Sequence, residues 1–173
     1  MLPLPFHDVK VESSYNLFRG SIIIEARVPR RMAAILAADV VGYSNLMNED
    51  EEATLAALKK CRAAADPLIS SHHGRIFGSA GDSLVVEFAS PVEAVRCAME
   101  IQSSLKRLNE DLPDERRMLL RIGINLGDVM DDEGNLMGDG VNIAARLEGL
   151  ADPGGVCVSK AVLDHVADKL DFG

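Results

Sequence analysis

The chain has 173 residues and a formal net charge of −9, from 27 Asp plus Glu against 18 Lys plus Arg. Its length suits one domain, and 47% hydrophobic with 26% charged residues is typical of a globular protein, not of a disordered or collagen-like chain. The acidic balance argues against binding to nucleic acid or to an anionic membrane surface. No uncharged stretch approaches the roughly 20 apolar residues of a membrane-spanning helix.

The three cysteines indicate a cytoplasmic protein. Cys61, Cys97 and Cys157 are widely spaced and odd in number, which suits reduced thiols better than a disulfide scaffold. The N-terminus also lacks the basic segment that precedes the apolar part of a secretory signal. We therefore expect a cytoplasmic protein whose thiols are buried as small apolar side chains.

The N-terminal segment differs from the rest of the chain. Residues 1–31 contain three prolines and no sustained hydrophobic period, so we assign them as an extension of unknown role, followed by one domain over residues 32–173. Within the extension, Ile22–Ile24 is open to two interpretations, an added edge strand or an apolar linker.

The first strands of the domain are indicated by short apolar runs. Residues 33–41 form a continuous run interrupted only by Asp39, which is typical of a strand buried on both faces. Residues 74–77 and 83–88 predict two further strands, and the glycine-containing turn between them presents Asp82.

Helices are predicted where capping residues precede apolar periods. Asn48 and Ser159 can each cap a helix, and Ser90 opens a capping box with proline at the first helical position. The remaining predicted elements are a strand over 118–129, a helix over 140–150 and a strand over 156–158. This order, β-α-β-β-α-β-α-β-α, predicts an α+β fold with a ferredoxin-like antiparallel sheet and helices on one face.

Two aspartates stand where apolar strands give way to loops. Asp39 and Asp82 supply the carboxylate oxygens that Mg²⁺ prefers, and a pair of such ions can clamp the attacking and leaving oxygens of a phosphoryl displacement. The alternative is that both aspartates only form turns. For Asp39 that alternative is incomplete, because a charge within so apolar a run needs a partner.

Four motifs together resemble a known family. They are Ala38–Ser44, Gly81–Ser83, Arg121–Val129 and Gly138–Leu147. In this order they resemble the class III adenylate and guanylate cyclase catalytic domain, most closely the bacterial adenylate cyclase type. The resemblance runs from Arg31 to about Asp171 and implies a nucleotidyl cyclase fold. Family domains continue with further strands, one of which bears a lysine that helps to hold the triphosphate, and we expect those C-terminal strands to be missing here.

The resemblance implies that the chain is a phosphorus–oxygen lyase of intracellular signal transduction, which converts ATP into 3′,5′-cyclic AMP and pyrophosphate. By matching position, Asp39 and Asp82, with the carbonyl of Val40, would hold two Mg²⁺ or Mn²⁺ ions. The β and γ phosphates would be bound by backbone N–H groups of the following loop, which are those of Val41, Gly42, Tyr43 and Ser44.

Asn142 and Arg146 are the implied catalytic residues. Four positions apart on a helix, they lie on one face and can reach one ligand, although a solvated helix face would show the same pair. In the family the asparagine orients the ribose and the arginine stabilises charge on the α-phosphate. Both come from the opposite subunit to the metal-binding aspartates, so the resemblance implies a homodimer with two shared sites.

Two positions depart from the family pattern for reading the base. Gly78 stands where adenylate cyclases of this class usually carry a lysine, and Asn135 stands where they carry an aspartate or threonine. An amide can accept from the adenine amino group or donate to the guanine carbonyl, so Asn135 does not decide the base. ATP is favoured by the overall resemblance. The alternatives are a guanylate cyclase and a degenerate, cyclase-like regulatory domain that binds nucleotide without turnover.

Overall fold

The computed structural model describes residues 30–132 and 135–170 of the chain. The strands are β1 (Arg30–Val40), β2 (Arg75–Ala80), β3 (Ser83–Phe88), β4 (Leu120–Asp132), β5 (Asn135–Met137) and β6 (Val156–Val158). The helices are α1 (Tyr43–Glu49), α2 (Glu51–Ser71), α3 (Pro91–Asn109), α4 (Asp139–Leu150) and α5 (Lys160–Val166). Within these ranges, no helix combines the length and hydropathy needed to cross a membrane. The proposed strand or linker at Ile22–Ile24 lies outside the described residues.

The strands form one mixed sheet in the order β2-β3-β1-β4-β5. Neighbours along this path are antiparallel, and β6 adds to β4 in parallel. From β1 to β4 the chain therefore follows the β-α-β-β-α-β arrangement with β1 at the centre, which is the ferredoxin-like topology. The predicted α+β fold is confirmed.

Strand β1 is buried on both faces, and a different set of helices covers each face. Ala34 and Leu36 point into the main core with α2, α3 and α5, whereas Ala33 and Ile35 pack in a second cluster with Ala144 of α4. The prediction of helices on one face therefore holds for three helices and not for α4. Alternation along the strand explains the difference, because an apolar run without a polar face needs cover on both sides.

A glycine lets α4 lie against the sheet. A Cβ atom on Gly123 of β4 would lie 2.1 Å from the backbone nitrogen of Glu148 and 2.3 Å from the carbonyl oxygen of Ala144. Those distances are far inside van der Waals contact, so only glycine permits this approach. Position 123 thereby sets how deeply α4, and the side chains it carries, sit over the end of β1.

The predicted caps are confirmed at two of three helices. The Ser90 and Ser159 side chains accept hydrogen bonds from the backbone N–H groups three residues on, each at 3.4 Å. The predicted cap at Asn48 is wrong, because α2 is capped by Asp50, whose Oδ1 accepts from the Ala53 N–H at 3.0 Å. Asn48 instead lies inside α1, a short helix that begins directly after the turn at Gly42.

Candidate functional site

Asp39 and Asp82 come together where β1 ends beside the turn between β2 and β3. Asp39 is the penultimate residue of β1, and Asp82 lies in the turn between β2 and β3, where β3 pairs with β1. The Oδ2 atom of Asp82 accepts a hydrogen bond from the Val40 N–H at 3.2 Å. Gly81 has a φ of 61°, which glycine adopts without strain and which the tight turn requires. The turn thus places Asp82 beside the end of β1.

The partner that Asp39 requires is Arg121. The register of β1 and β4 puts these residues directly opposite each other. Arg121 Nε donates to Asp39 Oδ1 at 3.2 Å, and Arg121 Nη2 donates to Asp39 Oδ2 at 2.9 Å. This two-bond fork is the strong geometry for an arginine and a carboxylate, and it raises the pKa of Arg121. It explains how a charge is tolerated at the end of an apolar strand.

A third carboxylate reaches the same cluster from α4. Glu148 Oε1 lies 3.3 Å from Arg121 Nη2, yet it is a buried atom that receives no hydrogen bond from the described residues. The pKa of Glu148 is raised to about 7, first by burial, then by a side-chain hydrogen bond with Asp39 and by the charge of Asp39, and more weakly by Asp82, while Arg121 opposes the rise. Arg121 thus lies between the carboxyl groups of Asp39 and Glu148.

Sequence reasoning missed Arg121 and Glu148. Arg121 opens one of the motifs singled out above, and the apolar setting of Asp39 called for a counter-charge, so a signal for this pair existed. The signal for Glu148 was weaker, because its position depends on how closely α4 approaches Gly123.

The loop after β1 offers part of the predicted row of N–H groups. The Val41 N–H is already engaged, since it donates to the Leu119 carbonyl at 2.9 Å. The N–H groups of Gly42, Tyr43 and Ser44 precede the first intrahelical bonds of α1, and none donates a backbone hydrogen bond to the described residues. Gly42 stands two residues after Val40, and Tyr43 and Ser44 are the first residues of α1.

Asn142 and Arg146 lie on the exposed surface of α4. Neither side chain forms a hydrogen bond or ion pair with any described residue. At about 100° per residue, Asn142 lies about 120° and Arg146 about 160° around the helix from Glu148, so they project away from the carboxylate cluster of their own chain. One chain therefore does not bring the two predicted catalytic residues to Asp39 and Asp82.

The two predicted base-reading positions are described to different depths. Gly78 lies in β2 at an irregularity in its pairing with β3, and a Cβ atom there would have its nearest contact at 3.8 Å, with Val85. The position therefore has room for a side chain. Asn135 begins β5, but its side chain lies outside the described part of the structure.

Comparison with known proteins gives consistent matches. Residues 28–172 match the family described as Adenylate and Guanylate cyclase catalytic domain. Putative adenylate cyclase 3 of Rhizobium meliloti (strain 1021) is 48% identical over 146 residues, which cover 84% of this chain and 25% of that protein. The chain thus spans about a quarter of the length of this relative.

Solved structures of similar chains share the fold. The crystal structure of an adenylate/guanylate cyclase/hydrolase from Silicibacter pomeroyi is 41% identical, with a TM-score of 0.79 over 84% of this chain and 85% of that chain. The adenylyl cyclase CyaB from P. aeruginosa is 20% identical and has the same fold, with a TM-score of 0.73 over 83% of this chain and 84% of that chain.

Proposed function

Because the chain belongs to the adenylate and guanylate cyclase catalytic domain family, we propose that it converts ATP into 3′,5′-cyclic AMP and pyrophosphate. The ribose 3′-hydroxyl oxygen would bond to the α-phosphorus as the bond from that phosphorus to the bridging oxygen breaks, and pyrophosphate would leave. The observation that carries the proposal is the position of Asp82 beside the end of β1, where its carboxylate accepts a hydrogen bond from the N–H of Val40, the residue after Asp39.

The carboxylate cluster fits divalent metal ions. Asp82 reaches the end of β1 beside Asp39, and one oxygen of Glu148 is buried without a hydrogen bond from the described residues. Among the described residues, no group of three or more His, Cys, Asp or Glu side chains is already arranged to hold a metal ion. Two Mg²⁺ or Mn²⁺ ions held by Asp39, Asp82 and the Val40 carbonyl would therefore also need water or phosphate oxygens, which is usual for Mg²⁺. Such ions lower the pKa of a hydroxyl nucleophile and neutralise charge on a triphosphate.

The loop after β1 is the proposed binding site for the β and γ phosphates. The N–H groups of Gly42, Tyr43 and Ser44 would donate to phosphate oxygens, because they have no backbone acceptor among the described residues. The prediction also included Val41, but its N–H already donates to the Leu119 carbonyl, so it would not donate to a phosphate.

A second copy of the chain would complete the site. Asn142 and Arg146 are exposed and turned away from their own carboxylate cluster, which supports their use in the site of a partner. There Asn142 would orient the ribose, and Arg146 would stabilise charge on the α-phosphate. A two-fold axis would then generate two equivalent sites in the homodimer.

The base and the cellular role belong to the same proposal. ATP is favoured by the similarity to proteins named adenylate cyclase, with GTP as the alternative because Gly78 offers no side chain to the base. A regulatory domain that binds nucleotide without turnover is the second candidate, and the same glycine favours it. A cytoplasmic location is supported by the three cysteines, which are all free thiols, and a signalling role follows from the proposed cyclic AMP product.

The experiment is an assay of the purified chain with Mg²⁺ or Mn²⁺ and either ATP or GTP, at several protein concentrations, with cyclic nucleotides quantified by mass spectrometry. A rate of cyclic AMP formation that rises more steeply than linearly with protein concentration would support a dimeric adenylate cyclase. Cyclic GMP as the sole product would move the assignment to guanylate cyclase. Nucleotide binding without product from a folded dimer would favour the regulatory domain.

A further inference from the structure

Strands β2 and β5 contact each other although they stand at opposite ends of the strand path, with β3, β1 and β4 between them. The sheet therefore curls over the face that carries α4. On that face, Val85 of β3 and Leu136 of β5 pack in one cluster with Ala144 of α4. We refer to it as the closed face of the sheet.

Arg75, the first residue of β2, joins the two ends of the path. Its Nη2 atom donates to Oδ2 of Asp131 in β4 at 2.8 Å, and its Nε and Nη2 atoms donate to Oε2 of Glu87 in β3 at 3.3 and 3.1 Å. Asp131 pairs with Leu136 of β5. The guanidinium also lies 3.9 Å from the centroid of the Phe77 ring, which adds a cation–π contact. One side chain of β2 is thereby held beside the opposite end of the sheet.

The ion pairs of Arg75 belong to a network around a largely buried carboxylate. The Glu87 side chain is 9% exposed, and Arg31 of β1 forms a second ion pair with it. Nη2 of Arg31 also lies 3.9 Å from Oδ2 of Asp131. A buried carboxylate needs such partners, and a network of charges constrains geometry more than an isolated surface pair does. Of the two arginines, Arg75 alone belongs to a strand at the end of the path.

The two proposed base-reading positions lie on the strands that this contact brings together. Gly78 is three residues after Arg75 on β2, and it pairs with Val85, whose side chain packs on the closed face. Asn135 begins β5, and the next residue of β5 pairs with Asp131. The distance between the two positions therefore depends on how closely β2 approaches β5.

We propose that Arg75 is a positioning residue for the nucleotide base. By tying β2 to β4 beside β5, it sets the spacing between the strands that carry Gly78 and Asn135. Arg75 acts through those strands and contacts neither the base nor the phosphates. Loss of the tie therefore weakens binding of the base and leaves binding of the phosphates unchanged. This inference rests on the proposed function for the presence of a nucleotide at these positions.

The test compares the affinities of two ligands for the purified full chain with Mn²⁺, by isothermal titration calorimetry. The first ligand is the α,β-methylene analogue of whichever triphosphate, ATP or GTP, the chain binds better, and it cannot release pyrophosphate. The second is inorganic tripolyphosphate, which offers the phosphates without a base. Arg75→Gln should weaken binding of the analogue about threefold, the scale of a networked ion pair. It should change the affinity for tripolyphosphate by less than about 1.5-fold.

Matched variants separate the tie from the charge. Arg31→Gln removes a guanidinium from the same network but leaves β2 tied to β4, so it should keep the affinity for the analogue within about 1.5-fold of wild type. Asp131→Asn should weaken binding of the analogue, and adding Arg75→Gln should weaken it no further, because both changes remove the same tie. Arg75→Lys keeps the charge without the planar fork and should recover part of the affinity.

The outcomes separate this inference from the proposed function. Unchanged affinity for the analogue in Arg75→Gln would overturn the inference, and so would an equal loss for both ligands, which would indicate a general effect on the fold. Additive losses from Arg75→Gln and Asp131→Asn would overturn it as well. A wild type that binds neither ligand in the presence of Mn²⁺ would instead contradict the proposed function, and the inference would fail with it.

Discussion

Asp39 and Arg121 face each other across β1 and β4, and two hydrogen bonds of 3.2 and 2.9 Å join them. The pair lies where the most buried strand of the sheet reaches the loop that leads into α1. The pair gives the Asp39 carboxylate a charged partner within the fold at the end of an apolar strand.

Replacement of Asp39 tests the metal assignment in the reaction. Asp39→Asn should lower cyclic nucleotide production by at least about a hundredfold, because charge stabilisation by a metal ion is worth several kcal/mol. Circular dichroism should show a retained fold. Asp164→Asn, an exposed carboxylate on α5, is the control and should keep full activity. Activity above a tenth of the wild type in Asp39→Asn would contradict the assignment.

The packing of α4 predicts a paired result for two glycines. Gly123→Ala should destabilise the fold by about 1–3 kcal/mol, because its Cβ would overlap the backbone of α4 and overpacking carries that cost. Gly149→Ala, on α4 itself, meets nothing within 4 Å and should be neutral or stabilising by up to about 1 kcal/mol. Urea unfolding of both variants measures the difference. Equal effects would show that α4 does not rest on Gly123.

His72 predicts a pH-dependent contribution to stability. Its Nδ1 lies 2.6 Å from Glu93 and its Nε2 lies 3.3 Å from Glu100. Burial acts to lower the pKa of His72, but the hydrogen bonds with Glu93 and Glu100 outweigh it, so the pKa is raised. Protonated His72 therefore stabilises the fold most below its unfolded pKa of about 6.5, and the contribution is lost as pH rises through the folded pKa.

The measurement is the free energy of unfolding of wild type and His72→Gln from pH 5.5 to 8.5. The wild type should be the more stable by about 1 kcal/mol at the acidic end, and the gap should shrink as pH rises. Glu100→Gln removes one of the two carboxylate partners and should lose part of the pH-dependent gap. A gap that is constant or grows with pH would contradict the assignment.

The room at Gly78 allows a test of base reading. Gly78→Lys should raise the preference for ATP over GTP, measured as the ratio of kcat/KM values, by about tenfold, because an ammonium can donate to the unprotonated ring nitrogen of adenine. The corresponding nitrogen of guanine carries a hydrogen. Ser79→Lys, on the opposite face of β2, is the control and should leave the ratio unchanged. An unchanged ratio in Gly78→Lys would remove this position from base recognition.

Local patterns account for what could be predicted from the sequence. The strand at 83–88 and the caps at Ser90 and Ser159 depend on a few adjacent residues, and the structure has them as predicted. The choice between Asn48 and Asp50 as a cap could not be made locally. Both residues are good caps, and the choice depends on where the turn at Gly42 starts α1.

The parts of the candidate site that were missed depend on contacts between distant segments. The pairing of Asp39 with Arg121 follows from the register of β1 on β4, which joins residues 82 positions apart. The approach of Glu148 follows from the depth of α4 over Gly123. The roles of Asn142 and Arg146 stay predictions, since a single chain leaves both on its surface.

Complementation tests the central claim, a catalytic site shared between two copies, most directly. Asp39→Ala and Arg146→Ala chains should each be inactive alone. Mixed in equal amounts, half of the dimers are heterodimers with one intact site of two, so about a quarter of wild-type activity should return. Native mass spectrometry of tagged chains counts the heterodimers. Confirmed heterodimers without recovered activity, or an active single variant, would contradict the shared site.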